Sequence, residues 1–250
     1  MSAGYLHLSL STEMTQSMNK SSEDMHSITS KLQNYLEFIS NLGLKGADCS
    51  EQALEMIKSW GHPPLPVNES LADIENELTK CRKCRLADHG HPGVMGAGRP
   101  GVRVMFVGGW PEPEDESSGK PYSGKAGELL GRIIQAMGLS RENVYITHVL
   151  KCRPPKNYQP KTGEIKTCCG FARREIHVVK PNVIFALGEA AADALLEEES
   201  AWEKLRGRFH YYHDIPVMPT FSPEHLLADP SAKRETWDNI KQVLKRIKEP

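Results

Sequence analysis

Two groups of residues have the types and spacing to do chemistry. Cys81 and Cys84 are separated by two residues, a spacing that suits either a metal hook or a redox pair. Cys152 follows an apolar stretch and Cys168 comes sixteen residues later, so a compact loop can bring these thiols to the same point as the first pair. Four thiolates suit tetrahedral zinc or a [4Fe–4S] cluster, and their number does not choose between them. The neighbouring Cys169 is a spare candidate for the fourth ligand. Cys49 lies outside the constellation and reads as a small buried hydrophobe.

The second group is a long loop, Gly108-Gly109-Trp110-Pro111-Glu112-Pro113-Glu114-Asp115-Glu116, continued by Gly119-Lys120-Pro121-Tyr122-Ser123-Gly124. Its glycines let the main chain approach a ligand, its acids can position water, and Tyr122 can stack on a flat ring. A phosphate cradle is disfavoured, because Pro111 lacks a backbone donor and the loop is acidic.

The elements that must position these groups alternate along the chain. The spacing predicts a helix over Leu71–Leu78, then strands at Val102–Val107, Val144–Leu150, Val183–Leu187 and Pro216–Phe221. Helices are predicted at Gly124–Met137, Glu164–Val179, Glu189–Glu198 and Ser231–Ile247. Short β-branched strands without polar alternation, each followed by a helix, make a three-layer α/β/α sandwich around a mostly parallel four-stranded sheet. Ligands of such sheets bind at the carboxyl ends of the strands, which is where the acidic loop and Cys152 fall. Residues 1–25 carry no apolar periodicity and read as a disordered tail, and residues 26–70 as a helical arm and linker. The main domain is expected over 71–250.

Composition narrows the class. At 250 residues, 39% hydrophobic and 25% charged, the chain is neither fibrous nor disordered as a whole. No apolar run approaches the ~20 residues of a membrane span. Without a secretory signal and with sparse cysteines, a monomer in the cytoplasm is the expectation. The net charge of −1 hides an asymmetry: residues 1–80 hold 5 basic and 11 acidic side chains, while residues 81–250 hold 26 and 21. The basic excess of the larger part is compatible with a polyanionic partner.

One family carries this order of motifs. Cys-x2-Cys, a strand, the Gly/Pro/acid loop and Gly119-Lys120-Pro121-Tyr122-Ser123-Gly124 come first. Lys151-Cys152-Arg153-Pro154-Pro155, Cys168, Leu205-Arg206-Gly207-Arg208 and Ser222-Pro223-Glu224-His225-Leu226-Leu227 follow. Together they resemble the iron–sulfur, family 4 uracil-DNA glycosylases over about residues 28 to 247. The resemblance implies a [4Fe–4S] cluster, rather than zinc, on Cys81, Cys84, Cys152 and Cys168. It also implies the glycosylase fold and, as substrate, DNA containing a damaged base, with uracil the default and hypoxanthine or xanthine as alternatives.

The pattern departs from that family in its reactive positions. Gly109 stands where the family has Glu, Glu112 where it has Gly, Tyr122 for Phe, His148 for Asn and Ser222 for His. Breaking an N-glycosidic bond needs a carboxylate or water beside an oxocarbenium-like sugar and a donor for the departing base. From its place at a strand end, His148 is expected to donate to a base oxygen, while Glu112, Glu114, Asp115 or Glu116 orients water. Gly108, Gly109, Tyr122 and Ser222 line the base pocket, with Tyr122 as its floor and Leu226 or Leu227 as the wedge that fills the vacated stack. Lys151, Arg153, Arg206, Arg208 and His225 are expected to meet DNA, with Lys156, Lys161, Lys233 and Arg234 as further phosphate contacts. The reaction would be hydrolytic and monofunctional, since no lysine sits in place for a Schiff base. The lost Glu and His admit a second reading, an iron–sulfur protein that binds DNA without cleaving it; a zinc-stabilised nucleic-acid module is a third.

Overall fold

The computed structural model describes residues 69–89, 92–196 and 201–248. The expected tail over 1–25, nearly all of the arm and linker over 26–70, and Cys49 lie outside these residues.

Five strands form one sheet: β1 (Val104–Gly108), β2 (Val144–His148), β3 (Val183–Leu187), β4 (His210–Tyr212) and β5 (Ile215–Thr220), in the order β2-β1-β3-β5-β4. The four expected strands pair in parallel, and β4 adds an antiparallel edge beside β5. That fifth strand was not anticipated. It is three residues long, has no apolar run, and forms a hairpin with β5 through a tight turn in which His213 takes a positive φ of 51°. At the opposite edge, Ala97 exchanges backbone hydrogen bonds with Ile146 of 2.8 and 2.9 Å and so covers part of β2.

Helices cover both faces, which is why the strands lack polar alternation. Met105 and Val107 of β1 turn toward a core shared with α4 (Thr162–Val179) and α5 (Glu189–Leu196). Val104 and Phe106 turn the other way, toward α3 (Lys125–Ala136) and α8 (Lys233–Lys248). Phe106 and Phe185 stack across β1 and β3 with centroids 5.0 Å apart, a pair that adds roughly 1 kcal/mol beyond its burial. The first helix, α1 (Leu71–Leu78), begins at Ser70, whose hydroxyl accepts from the Asp73 N–H at 3.2 Å. It packs on α4 through Ile74 and Leu78, next to the cysteines.

Three short helices interrupt segments read as loops: α2 (Pro113–Ser118), α6 (Trp202–Leu205) and α7 (Pro223–Ala228). The local chemistry of α2 is plain in retrospect. Pro113 opens it, three acids fill its first turn, and Gly119 ends it in the left-handed conformation. Helix α7 opens in the same way, with Pro223 after the cap Ser222.

Candidate functional site

The carboxyl ends of β1, β2 and β5 bring Gly108, His148 and the Ser222 turn to one end of the sheet. Gly108 and His148 are direct partners in the parallel register of β1 and β2. His148 is buried, with its Nε2 3.2 Å from Asp115 Oδ2. Asp115, in the first turn of α2, also accepts the backbone N–H of Ser123 at 2.6 Å and of Glu112 at 3.2 Å. A buried carboxylate with these donors is held ionised: burial raises its pKa, but the His148 and backbone hydrogen bonds outweigh that and leave it below the ordinary value. Burial dominates at the imidazole and pushes its pKa down despite the neighbouring carboxylate, so His148 is neutral near pH 7. Because an ionised carboxylate only accepts, the imidazole proton resides on Nε2. The imidazole, expected to donate to a base, therefore has its N–H committed to Asp115, and Nδ1 is left as a bare acceptor, buried without a hydrogen-bond partner among the described residues.

Tyr122 lies over this imidazole, ring centroids 4.8 Å apart and planes 26° from parallel. Its backbone is held at φ 55°, a left-handed conformation unusual for an aromatic residue. Arg141 holds it there by donating to the carbonyls of Pro121 and Tyr122, at 2.5 and 3.0 Å. Gly127 is required beneath, because a methyl at that position would collide with the Tyr122 carbonyl. The phenol points to Gly108: a methyl on Gly108 would strike the Tyr122 hydroxyl and lie 2.8 Å from His148 Nδ1. Burial, reinforced by Glu224, Asp115 and Glu112, raises the Tyr122 pKa well above its ordinary value and keeps the hydroxyl protonated. The expected floor of the pocket is thus buried against His148 in this structure.

The acids of the loop divide by role. Asp115 orients His148, and Glu116 is paired with Arg153 at 2.7 Å. Glu112 and the exposed Glu114 remain, and the Glu112 pKa is raised by burial and by the charges of Asp115 and Glu114. Glu224, from the first turn of α7, faces the same acids: burial comes first in raising its pKa, with Glu112 and Asp115 adding to it and Ser222 opposing through a hydrogen bond. Sequence reasoning assigned Glu224 no role, although it stands in the quoted motif. Its first-turn place after a Ser-Pro cap was the signal. Ser222 caps α7 by accepting the His225 N–H at 3.3 Å. Gly109 stays near the loop, with Ala190 the nearest neighbour to a methyl placed there.

Two expected DNA contacts are corrected. Lys151 is fully buried: its Nζ lies 2.6 Å from Glu175 Oε2 and 2.5 Å from Thr147 Oγ1. Glu175 also accepts the Gly96 N–H at 2.9 Å. The network ties β2, α4 and the segment before β1 together, and no part of it reaches a phosphate. A carboxylate among the apolar residues of α4, between Ala172 and Ile176, was the sequence signal for Glu175. Leu226 is likewise buried, in a small cluster with Leu129 and Ala232, whereas the adjacent Leu227 is 44% exposed. Helical rotation puts neighbouring residues on different faces, so of the two leucines only Leu227 is exposed.

Other basic positions stay at the surface. Arg208, Lys156, Lys161, Lys233 and Arg234 are exposed. Arg206 pairs with Glu235 at 2.6 Å and sits 4.2 Å from the Phe221 ring centroid, while the exposed His225 stacks on Phe221 at 4.5 Å. The resulting column stiffens the turn that carries Leu227.

Cys81, Cys84, Cys152 and Cys168 gather in one apolar patch with Leu86, Leu150 and Phe171. Burial is the main cause that pushes the Cys152 thiol up to about 11 and the Cys168 thiol up to about 12, with Cys84 among the further causes for each. The Lys151 N–H donates to Cys168 Sγ at 3.2 Å. Buried thiols that sense one another and accept a backbone donor fit a thiolate-held group, although among the described residues no three ligating side chains already close on a single ion. Cys169 turns away, toward the Ala194 carbonyl at 3.4 Å, which removes it as the spare ligand.

Comparison with known proteins gives a consistent result. The family model described as the uracil DNA glycosylase superfamily matches residues 95–245. A type-4 uracil-DNA glycosylase from Saccharolobus solfataricus is 34% identical over 184 residues, covering 70% of this chain and 85% of that protein. One from Thermotoga maritima is 35% identical over 185 residues, covering 72% and 96%. A type-5 uracil-DNA glycosylase from Thermus thermophilus is 28% identical over 190 residues, covering 63% and 84%.

Proposed function

This chain belongs to the uracil-DNA glycosylase superfamily, and from that membership we propose that it hydrolyses the N-glycosidic bond of uracil in DNA. The observation that carries the reading is the convergence of His148, Tyr122, Glu112 and Glu224 at the carboxyl end of the sheet.

Glycosidic cleavage builds positive charge on the sugar and negative charge on the leaving base. Asp115 and Glu116 are committed to His148 and Arg153; of the remaining Glu112, Glu114 and Glu224, it is Glu112 and Glu224 whose carboxyls burial perturbs, and these two are assigned to the sugar side. Burial raises the pKa of both, with Asp115 and Glu114 adding to it at Glu112 and with Glu112 and Asp115 adding to it at Glu224; in its ionised form either carboxylate can orient a water and accept its proton. Leu227 enters the stack as the base leaves it, supported by the Arg206–Phe221–His225 column. Arg208, which is exposed, and Arg153, which is paired with Glu116, are assigned as phosphate contacts.

Cys81, Cys84, Cys152 and Cys168 would hold a [4Fe–4S] cluster. When bound, such a group supplies a rigid thiolate-linked anchor and electron-transfer capacity. This chain's own contribution is the Lys151–Glu175 pair, which fixes β2 and α4 on either side of the cysteine loop. The test is incubation of the full chain with a uracil-containing oligonucleotide. Release of free uracil with the strand left unbroken supports monofunctional hydrolysis. Strand cleavage without added base or nuclease would contradict it.

A further inference from the structure

His148 and Tyr122 depart together from the family pattern, and both border the space beside Gly108 where a side chain on that residue would stand. We propose that they act as a split amide: His148 Nδ1 accepts and the Tyr122 hydroxyl donates, so that together they read the N–H and adjacent C=O of a lactam base.

The argument rests on three geometric observations. First, Asp115 Oδ2 accepts the Nε2–H at 3.2 Å, so Nδ1 can only accept, and it is buried without a hydrogen-bond partner among the described residues. An unpaired buried acceptor carries an uncompensated desolvation cost, which a ligand donor would recover. Second, the Tyr122 hydroxyl stands on the same side of Gly108 as Nδ1, where a side chain on residue 108 would strike both. Third, Tyr122 is locked there by Arg141, by the absence of a side chain on Gly127 and by the His148 ring. An asparagine presents an N–H donor and a C=O acceptor side by side, whereas an imidazole alone presents them on opposite edges. With the proton fixed on Nε2, His148 supplies the acceptor half, and the hydroxyl that Phe lacks supplies the donor half.

The ligand class follows. Uracil offers N3–H beside C4=O, and hypoxanthine offers N1–H beside C6=O, so each matches the pair at both atoms. Cytosine and adenine set a bare ring nitrogen against the acceptor Nδ1 and are mismatched there, while their amino group can still donate to the Tyr122 hydroxyl oxygen, so the imidazole carries the discrimination. The pair therefore selects the deaminated bases against their parents, by a donor–acceptor code rather than by size.

The inference deepens the glycosylase reading and rests on it, so binding and excision are measured separately. Oligonucleotides carrying a non-cleavable 2′-fluoro nucleotide of uracil, or of 3-deazauracil, which replaces N3–H by C–H at constant shape, are titrated against the full cluster-loaded chain. Binding of the 3-deaza oligonucleotide weaker by about tenfold or more is expected; equal binding overturns the pair. Tyr122→Phe is expected to reduce uracil binding by a similar factor. The double variant Tyr122→Phe with His148→Asn is expected to recover it, because one amide then supplies both halves. Failure of Tyr122→Phe to weaken binding, or of the double variant to recover it, also overturns the proposal. Discriminated binding with no excision of any base would contradict the glycosylase reading while leaving the split amide intact. Excision of uracil together with undiscriminated binding would do the reverse.

Discussion

At the residue scale, the site's behaviour follows from which groups are already committed. His148 is faced by Asp115, Tyr122, Lys151 and Glu175, and burial lowers its pKa below the ordinary ~6.5. In the unfolded chain it binds a proton more readily, so between the folded and unfolded values stability rises with pH and falls on acidification. Uracil excision is expected to fall with the same proton, because protonated Nδ1 can no longer accept. The pH–rate profile of single-turnover excision should therefore show an acid limb below ~6.5 that disappears in His148→Asn. Glu112→Gln and Glu224→Gln are each expected to slow excision about a hundredfold or more with little change in DNA affinity, as measured by single-turnover rates and anisotropy. The sequence singled out His148, Tyr122 and Glu112 as candidates through their place at or after strand ends, and the structure brings His148 and Tyr122 into contact. The sequence did not disclose that Asp115 fixes a tautomer or that Glu224 joins the acids, since both depend on contacts between α2, α7 and β2 that no spacing encodes.

At the scale of elements, the strands were legible because a strand buried on both faces must be apolar throughout. Val183–Leu187 falls where the pattern put it. The short elements were not legible for the converse reason: β4 has no apolar run, and α6 is four residues long. Lys151 shows how a motif can mislead, because a lysine beside a cysteine at a strand end looks like a phosphate contact until its partner Glu175 is seen on α4. Breaking a buried pair leaves an uncompensated charge, so Lys151→Met is expected to destabilise the fold by about 3–5 kcal/mol, read by urea denaturation. The double variant Lys151→Met with Glu175→Gln should cost less than the two single changes together. Its DNA-binding salt slope should match that of the parent, which a phosphate-contacting lysine would not allow.

At the scale of the whole molecule, one end of the sheet carries both sets of chemistry, with the thiols on the α1–α4 side and the acids around α2 and α7. The order of motifs was enough to place the chain in its superfamily, because the motifs sit in loops at strand ends, which a shared fold keeps in order. What the order could not convey is how altered residues compensate for one another. Leu227→Ala is expected to reduce excision from duplex DNA more than from single strands, since only the duplex has a stack for the wedge to fill. Comparing the two rates against those of the parent checks this, and an equal loss on both would count against the wedge.

The central claim is that this rearranged site still cleaves. The most direct measurement is single-turnover excision by cluster-loaded full chain, in excess over oligonucleotides carrying uracil, hypoxanthine, xanthine or a normal base, in single and double strands. The account predicts release of uracil, with cytosine and adenine left intact. Intact uracil oligonucleotide, bound but uncut by protein of verified iron content, would contradict it.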